Sequence, residues 1–327
     1  MYKPPFDITN SMLNKIISIT EKVSMISSFN SLKRMPILRK NNKIRSIHSS
    51  LTIEANSLSI KEVEDVIDGK KVLGPEKEII EVKNAYKAYS MIEEFDGYKE
   101  SDLLKAHKIL TNSLIEDNGK YRNHGEGVYD GEKLIFMAPP QDMVPTLMKD
   151  LFSWLNNDNE TPILIKSCVF HYEFVFIHPF SDGNGRVARL WQNVLLTKWK
   201  PFFEYVPLES QIEKYQSEYY DTISKCNKNG NSNLFIEFML KMLDETLDNV
   251  LMNLSKEVNN ISIQVNRLLE VMDKDIPLTA NEIMKRLNIK SKETLRNSYL
   301  NPALENGLIK MTIPDKPNSK NQRYVRR

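Results

Sequence analysis

The sequence predicts a mainly helical protein with one small β-hairpin and a separate C-terminal module. Three observations predict it. Apolar residues recur at helical spacing over most of the first 255 residues. Two-residue alternation around a Gly-containing turn is strong only near 127–138. From Leu278 onward the pattern changes to helix, tight turn, helix and two short strands, and the charge turns basic. A chain of 327 residues is long enough for two domains with a sizeable core.

The elements follow in order. Residues 1–10 are Pro-rich and extended, and Asp7-Ile-Thr-Asn10 reads as a helix start. Met12, Ile16, Ile19, Val23 and Ile26 make one face of a helix over 11–28. Arg34 to Lys43 is basic, contains Pro36, and is expected to be a solvated connector. Ile44 to Ser59 is a polar helix with Ser50 and Glu54 one turn apart on one face, which on its own reads as a solvated surface. Ser59 and Glu62 have capping-box spacing ahead of a short helix to Ile67. Helices are expected over 78–95 and 102–114, with His107 structural or at the surface. Val128/Tyr129 and Leu134/Ile135/Phe136 flank Asp130-Gly131 as a hairpin. Arg122 and His124 precede it.

Further helices are expected over 143–154, 163–177, 186–199, 211–225 and 234–254, the last continuing towards Val271. Residues 205–208 are a short apolar connector. The run 163–177 is predominantly apolar, so it reads as a buried helix. Residues 278–300 give helix, turn, helix, and 311–325 give two strands around a Pro/Asn/Lys loop, which resembles a winged helix-turn-helix. Residues 278–327 hold eleven Lys/Arg against four Asp/Glu. Such asymmetry is what DNA binding would use, while winged helices also serve as protein-docking or packing modules and the whole chain carries only +2.

The chemistry concentrates in His178-Pro-Phe-Ser-Asp-Gly-Asn-Gly-Arg-Val-Ala-Arg189. Gly183 and Gly185 let backbone N–H groups turn outward at the start of a helix, whose dipole adds positive potential. That is an anion site. Arg186 and Arg189 suit phosphate oxygens. Asp182 could hold a divalent cation, and His178 can take a proton near neutral pH. Burying these groups unpaired would cost several kcal/mol, so they serve no packing purpose. The phosphate loop of nucleotide hydrolases needs Gly-x4-Gly-Lys-Ser/Thr and is not this stretch. Only two cysteines occur, Cys168 and Cys226, so no disulfide framework is expected. Met1-Tyr-Lys-Pro-Pro has no apolar leader core and no 18-residue apolar stretch exists, so a soluble cytoplasmic protein away from membranes is expected.

The twelve residues resemble the signature of the Fic (filamentation induced by cyclic AMP) family, His-x-Phe-x-Asp/Glu-Gly-Asn-Gly-Arg-x-x-Arg. His178, Phe180, Asp182, Gly183, Asn184, Gly185, Arg186 and Arg189 fill every defined position. The resemblance covers about residues 1–255. It implies a helical core that transfers AMP from ATP to a Ser, Thr or Tyr hydroxyl of a target protein or of the enzyme itself. The implied divisions are an N-terminal helical region 1–110, a core 111–255 and the winged helix 256–327. In the resemblance His178 is the base and Asp182 the ligand of Mg²⁺ or Mn²⁺. Gly183, Asn184, Gly185, Arg186 and Arg189 bind nucleotide phosphates, with Asn184 on the α-phosphate. Tyr220 and Asn227 fit its adenine pocket. Residues 127–138 fit its flap, where Leu134, Ile135, Phe136 and Met137 hold the target by strand addition.

Family members with an inhibitory helix carry Ser/Thr-x-x-x-Glu-Gly/Asn ahead of the core. Ser50 and Glu54 match within a helix at about 46–57, while Ala55 stands where Gly or Asn is expected. Glu54 paired with Arg189 would keep ATP in a non-reactive pose. The resemblance leaves two alternatives, removal of AMP using Glu54 and a DNA-binding regulator that senses nucleotide. It also allows homo-oligomers and self-modification.

Overall fold

The computed structural model describes residues 2–28, 36–130, 133–317 and 319–326. Its contacts divide the chain into two units, 1–249 and 250–327. The fold is mainly helical.

The first unit is built on α7 (Ile163–Ile177) and α8 (Asn184–Trp199), the central helix pair. Every residue of α7 from Leu164 to Phe174 is buried, which is why its sequence shows no polar face. Pro162 precedes it and Pro179 follows its last turn, so its limits are those read from the sequence. Around this pair lie α1 (Asn10–Ser28), α2 (Pro36–Thr52), α3 (Ile60–Ile67), α4 (Glu76–Tyr89), α5 (Glu100–Leu110) and α6 (Val144–Asn157). α9 (Leu208–Lys214), α10 (Gln216–Asn229) and α11 (Asn233–Val271) follow α8. The expected capping box opens α3, with Ser59 and Glu62 bonding each other's backbone N–H. The N-terminal segment lies across the unit, with the Ser232 N–H donating to the Pro5 carbonyl at 3.0 Å and the Tyr2 hydroxyl to Glu173 at 2.8 Å.

Several boundaries differ from expectation. The basic stretch expected as a connector is the first half of α2, with residues 34 and 35 outside the described ones. Pro36 is the first helical residue, where its missing N–H costs nothing. The Arg39 guanidinium lies 4.2 Å over the Tyr205 ring, and Asn42 is buried and donates to the Tyr205 carbonyl at 2.9 Å. α2 ends at Thr52, not near 57, and Ala55 turns the chain at φ 65°. α4 stops at Tyr89 and α5 at Leu110, short of 95 and 114. The expected helix 211–225 is two helices that meet at Tyr215, and a 3₁₀ turn (Pro201–Tyr205) precedes them. No described helix is long and apolar enough to cross a membrane.

β1 (Gly127–Asp130) and β2 (Lys133–Met137) pair antiparallel, from Gly127 opposite Met137 to Asp130 opposite Lys133. The register shifts between Val128 and Tyr129. Gly131 of the expected turn lies outside the described residues, as do the side chains of Leu134 and Ile135.

The second unit contains the end of α11, then α12 (Ala280–Leu287), α13 (Lys292–Leu295) and α14 (Asn301–Glu305), with a π-helical turn (Arg296–Leu300) joining the last two. β3 (Leu278–Thr279), β4 (Ile309–Met311) and β5 (Arg323–Arg326) form a sheet in the order β3-β5-β4. Leu268, Ile283, Leu287, Leu295, Leu300 and Ile309 belong to its own core.

Candidate active site

α7 must end at its C-terminus because Pro179 disfavours the helical conformation of the residue before it. His178 is therefore the cap, in the left-handed region at φ 51° and ψ 58°, with its N–H on the Phe174 carbonyl at 3.0 Å. That conformation costs a non-glycine residue about 1–2 kcal/mol. Arg122 offsets it. Its Nε donates to the His178 carbonyl at 2.8 Å, and its own N–H donates to the Pro179 carbonyl at 2.9 Å. Its Nη1 reaches the His124 carbonyl at 2.7 Å and its Nη2 the Pro139 carbonyl at 2.5 Å. One buried guanidinium thus ties the end of α7 to both sides of the hairpin base. Burial lowers the pKa of the His178 imidazole below its ordinary value.

The loop 178–183 is fixed from beneath by Phe180, which is fully buried. His107 stacks on it at 3.6 Å, with planes 2° apart. The Gly119 N–H donates to His107 Nδ1 at 2.9 Å, so Nε2 carries the proton and donates to the Asp182 carbonyl at 3.0 Å. Burial holds the His107 pKa down to about 4, and the ring is neutral. It is structural, as expected. The Asn184 side chain accepts from the Phe180 N–H at 2.9 Å and donates to the Phe180 carbonyl at 2.7 Å. Expected on a phosphate, it instead closes the loop at the start of α8.

Asp182 is the half-exposed group of the loop. Burial opposes its ionisation, but Arg186 at 3.0 Å and the Gly183 N–H at 2.6 Å outweigh it and lower its pKa. Arg186 also meets Glu81 of α4 at 3.3 Å. Among the described residues no group of three His, Cys, Asp or Glu gathers as a metal site. A cation here would need oxygens beyond Asp182, and a carboxylate with one oxygen uncommitted fits sharing it with phosphates and water.

A carboxylate of the same chain, Glu54, sits at the first turn of α8, where the sequence suggests an anion site. Arg189 is buried. Its Nη2 donates to Glu54 Oε1 at 2.7 Å and to the Ser50 carbonyl at 2.8 Å, and its Nε to Ser50 Oγ at 3.1 Å. Nη1 is buried without a partner. A Cβ on Gly185 would stand 2.3 Å from Glu54 Oε1, so Glu54 occupies the space that this glycine leaves open at the first turn of α8. The α8 dipole and Arg189 both favour the negative charge there.

Tyr220 is half-exposed, and its hydroxyl approaches the Ile53 carbonyl at 3.4 Å, beside the Glu54 turn. Asn227, two turns along α10, accepts from Tyr172 at 2.8 Å. On the hairpin, Phe136 packs on Phe176 of α7 at 5.3 Å and Met137 is exposed. His124 is paired with Glu126 at 3.1 Å on the surface. The arrangement therefore places the His178 imidazole at one end of a fixed loop and the first turn of α8, with Arg189, at the other. Arg122, His107 and Glu81 support it, and no local signal in the sequence marked any of them as parts of the site.

A family model described as Fic/DOC family matches residues 97–196, and one described as filamentation induced by cAMP protein Fic-like, C-terminal domain, matches 263–325. A crystal structure of a Fic family protein from Desulfovibrio desulfuricans G20 is 41% identical, with a TM-score of 0.75 over 100% of this chain and 98% of that one. A probable protein adenylyltransferase of Aquifex aeolicus is 28% identical over 262 residues, 76% of each chain. Protein adenylyltransferase Fic of Aedes aegypti is 29% identical over 241 residues, 70% of this chain but 45% of the mosquito protein. The chain thus spans less than half the length of that relative.

Proposed function

The chain belongs to the Fic family, and from that premise we propose that it is a protein adenylyltransferase held at rest by its own Glu54. One observation carries the reading: a single fixed loop joins His178 to the N-terminal turn of α8, and that turn already receives a carboxylate.

ATP is the substrate whose phosphates suit this cradle. The N–H groups at Gly183, Asn184 and Gly185, with Arg186 and Arg189, receive phosphate oxygens. Mg²⁺ or Mn²⁺ shared between Asp182 and the nucleotide supplies charge neutralisation when bound. The hairpin edge lays a segment of the target beside His178 by main-chain pairing. His178 takes the proton of a target hydroxyl, whose oxygen forms a bond to the α-phosphorus. The bond from that phosphorus to the bridging oxygen breaks, and pyrophosphate leaves. Charge grows on the departing oxygens, where the arginines and the α8 dipole act. Tyr220 and Asn227 line the way to the adenine.

The test is label transfer from ATP carrying ³²P at the α or the γ position. Protein labelled from α and not from γ is the expected result; label from γ alone would overturn AMP transfer. Arg122 contacts no substrate in this scheme and acts by placing His178. A lysine there cannot span several carbonyls. Arg122→Lys is expected to lower kcat about tenfold or more while KM for ATP stays unchanged, because misplacing a catalytic group costs rate rather than binding. An equal loss in ATP affinity would mean a general collapse of the site.

A further inference from the structure

We propose that the groove beside α13 and β5 in the C-terminal unit is a binding surface for duplex DNA, with Lys292, Arg296 and Lys320 on phosphates and Asn301 and Gln322 towards base edges. The proposal does not rest on AMP transfer, and its test can fail while that reading stands.

The groove has a volume of about 510 Å³ and is lined by Lys292, Arg296, Asn301, Lys320 and Gln322, among others. The three cations are exposed, and none of them makes an ion pair with another of the described residues, in contrast to Arg286, which meets Asp273 at 3.2 Å. Uncompensated cations on both walls of an open groove favour a polyanion. A second observation points the same way. Gln322 is 6% exposed, its Oε1 accepts from the Ile313 N–H at 3.1 Å, and its Nε2 is buried without a partner. An unsatisfied donor in a polar groove costs stability until an acceptor reaches it.

The helix wall has a local reason for its shape. Pro302 has no N–H to bond the Ser298 carbonyl, and its ring crowds that carbonyl. The preceding turn widens instead, and the Asn301 N–H bonds the Arg296 carbonyl five residues back. This π turn carries Arg296 and Asn297 on the exposed side, and Arg296 lines the groove together with Met311 of β4 and Tyr324 of β5. Helix and strands together have the form that enters a major groove about 12 Å wide. An acidic peptide fits less well. The excess of eleven Lys/Arg over four Asp/Glu runs through the whole of 278–327 and extends beyond the groove, which suits a long polyanion rather than a short peptide.

The experiment is fluorescence polarisation of a labelled 20-base-pair duplex with the full chain, across a salt series. Binding should weaken with salt. Arg296→Gln and Lys320→Gln should each reduce affinity about three- to tenfold at 0.1 M salt and flatten the log–log salt slope by roughly 0.9. Gln322→Glu, which sets a negative charge in the groove, should weaken binding at least as much. Lys87→Gln, on the other unit, should change nothing. Unchanged thermal midpoints show that the exposed-site variants fold. Equal affinity of the wild type and a Lys292/Arg296/Lys320 triple glutamine variant would overturn the proposal. So would equal or tighter binding of duplex RNA, or displacement of the duplex by polyglutamate at matched charge.

Discussion

Replacing Glu54 by glycine is expected to raise AMP incorporation about tenfold or more, since release of about 1.4 kcal/mol or more of competing interaction suffices for that change. The reasoning is geometric. Glu54 Oε1 holds Arg189 Nη2 at 2.7 Å and stands where a Cβ on Gly185 would be. A phosphate needs the same guanidinium and the same helix turn, and a carboxylate there also repels it. Removal frees the cation and clears the turn. It also leaves Arg189 buried with fewer partners, so the ligand-free variant should melt earlier than the wild type. Saturating ATP should restore more stability to the variant than to the wild type, because a ligand stabilises by its own affinity for the folded state. The measurement is α-label incorporation with a parallel melt. An unchanged rate would remove the restraint from the scheme and leave the transfer chemistry standing.

His178→Ala, made in the Glu54→Gly background, is expected to cost about 10²–10⁴-fold in rate, the usual contribution of a positioned base. ATP binding should survive, because the cradle lies on α8 and the loop is held by Phe180, Asn184 and Arg122 rather than by the imidazole. The pH profile carries a sign. Burial lowers the His178 pKa, so the unprotonated base persists to more acid pH than a free histidine would. Activity should be flat through neutrality and fall only on the acid side of about 6.5. A profile that declines as pH rises through neutrality would assign the limiting proton to another group.

What the sequence revealed, and what it hid, separates by range. The loop 178–189 was legible as a candidate site because its residues are adjacent and each has a distinct chemistry. α7 was legible to its ends because a mostly apolar run lies between two prolines. The Ser59/Glu62 box was legible because the signal spans three residues. The start of α2 was not, since Pro36 reads equally as a breaker or a first residue. The break at Tyr215 carries no Gly or Pro. Arg122 lies 56 residues before the carbonyl it holds, and Glu81 lies 105 residues before Arg186. Nothing in either local pattern distinguishes them from surface charges, because their partners exist only once the helices have packed. Asn184 was legible as a motif residue, yet its side chain serves the loop's own backbone.

In the proposed scheme, Ala55 gives the restraint by Glu54 a set point. The residue directly after Glu54 has φ 65°, in the region that glycine enters freely and alanine does not. The resting turn therefore stores roughly 1–2 kcal/mol of backbone strain, and any opening that lets Ala55 relax recovers it. A bias of that size multiplies the share of released molecules by about 5–30. Ala55→Gly should accordingly quiet the resting enzyme without touching a single catalytic atom. The idle state is then a spring under light tension, and its leak rate is written in one methyl group.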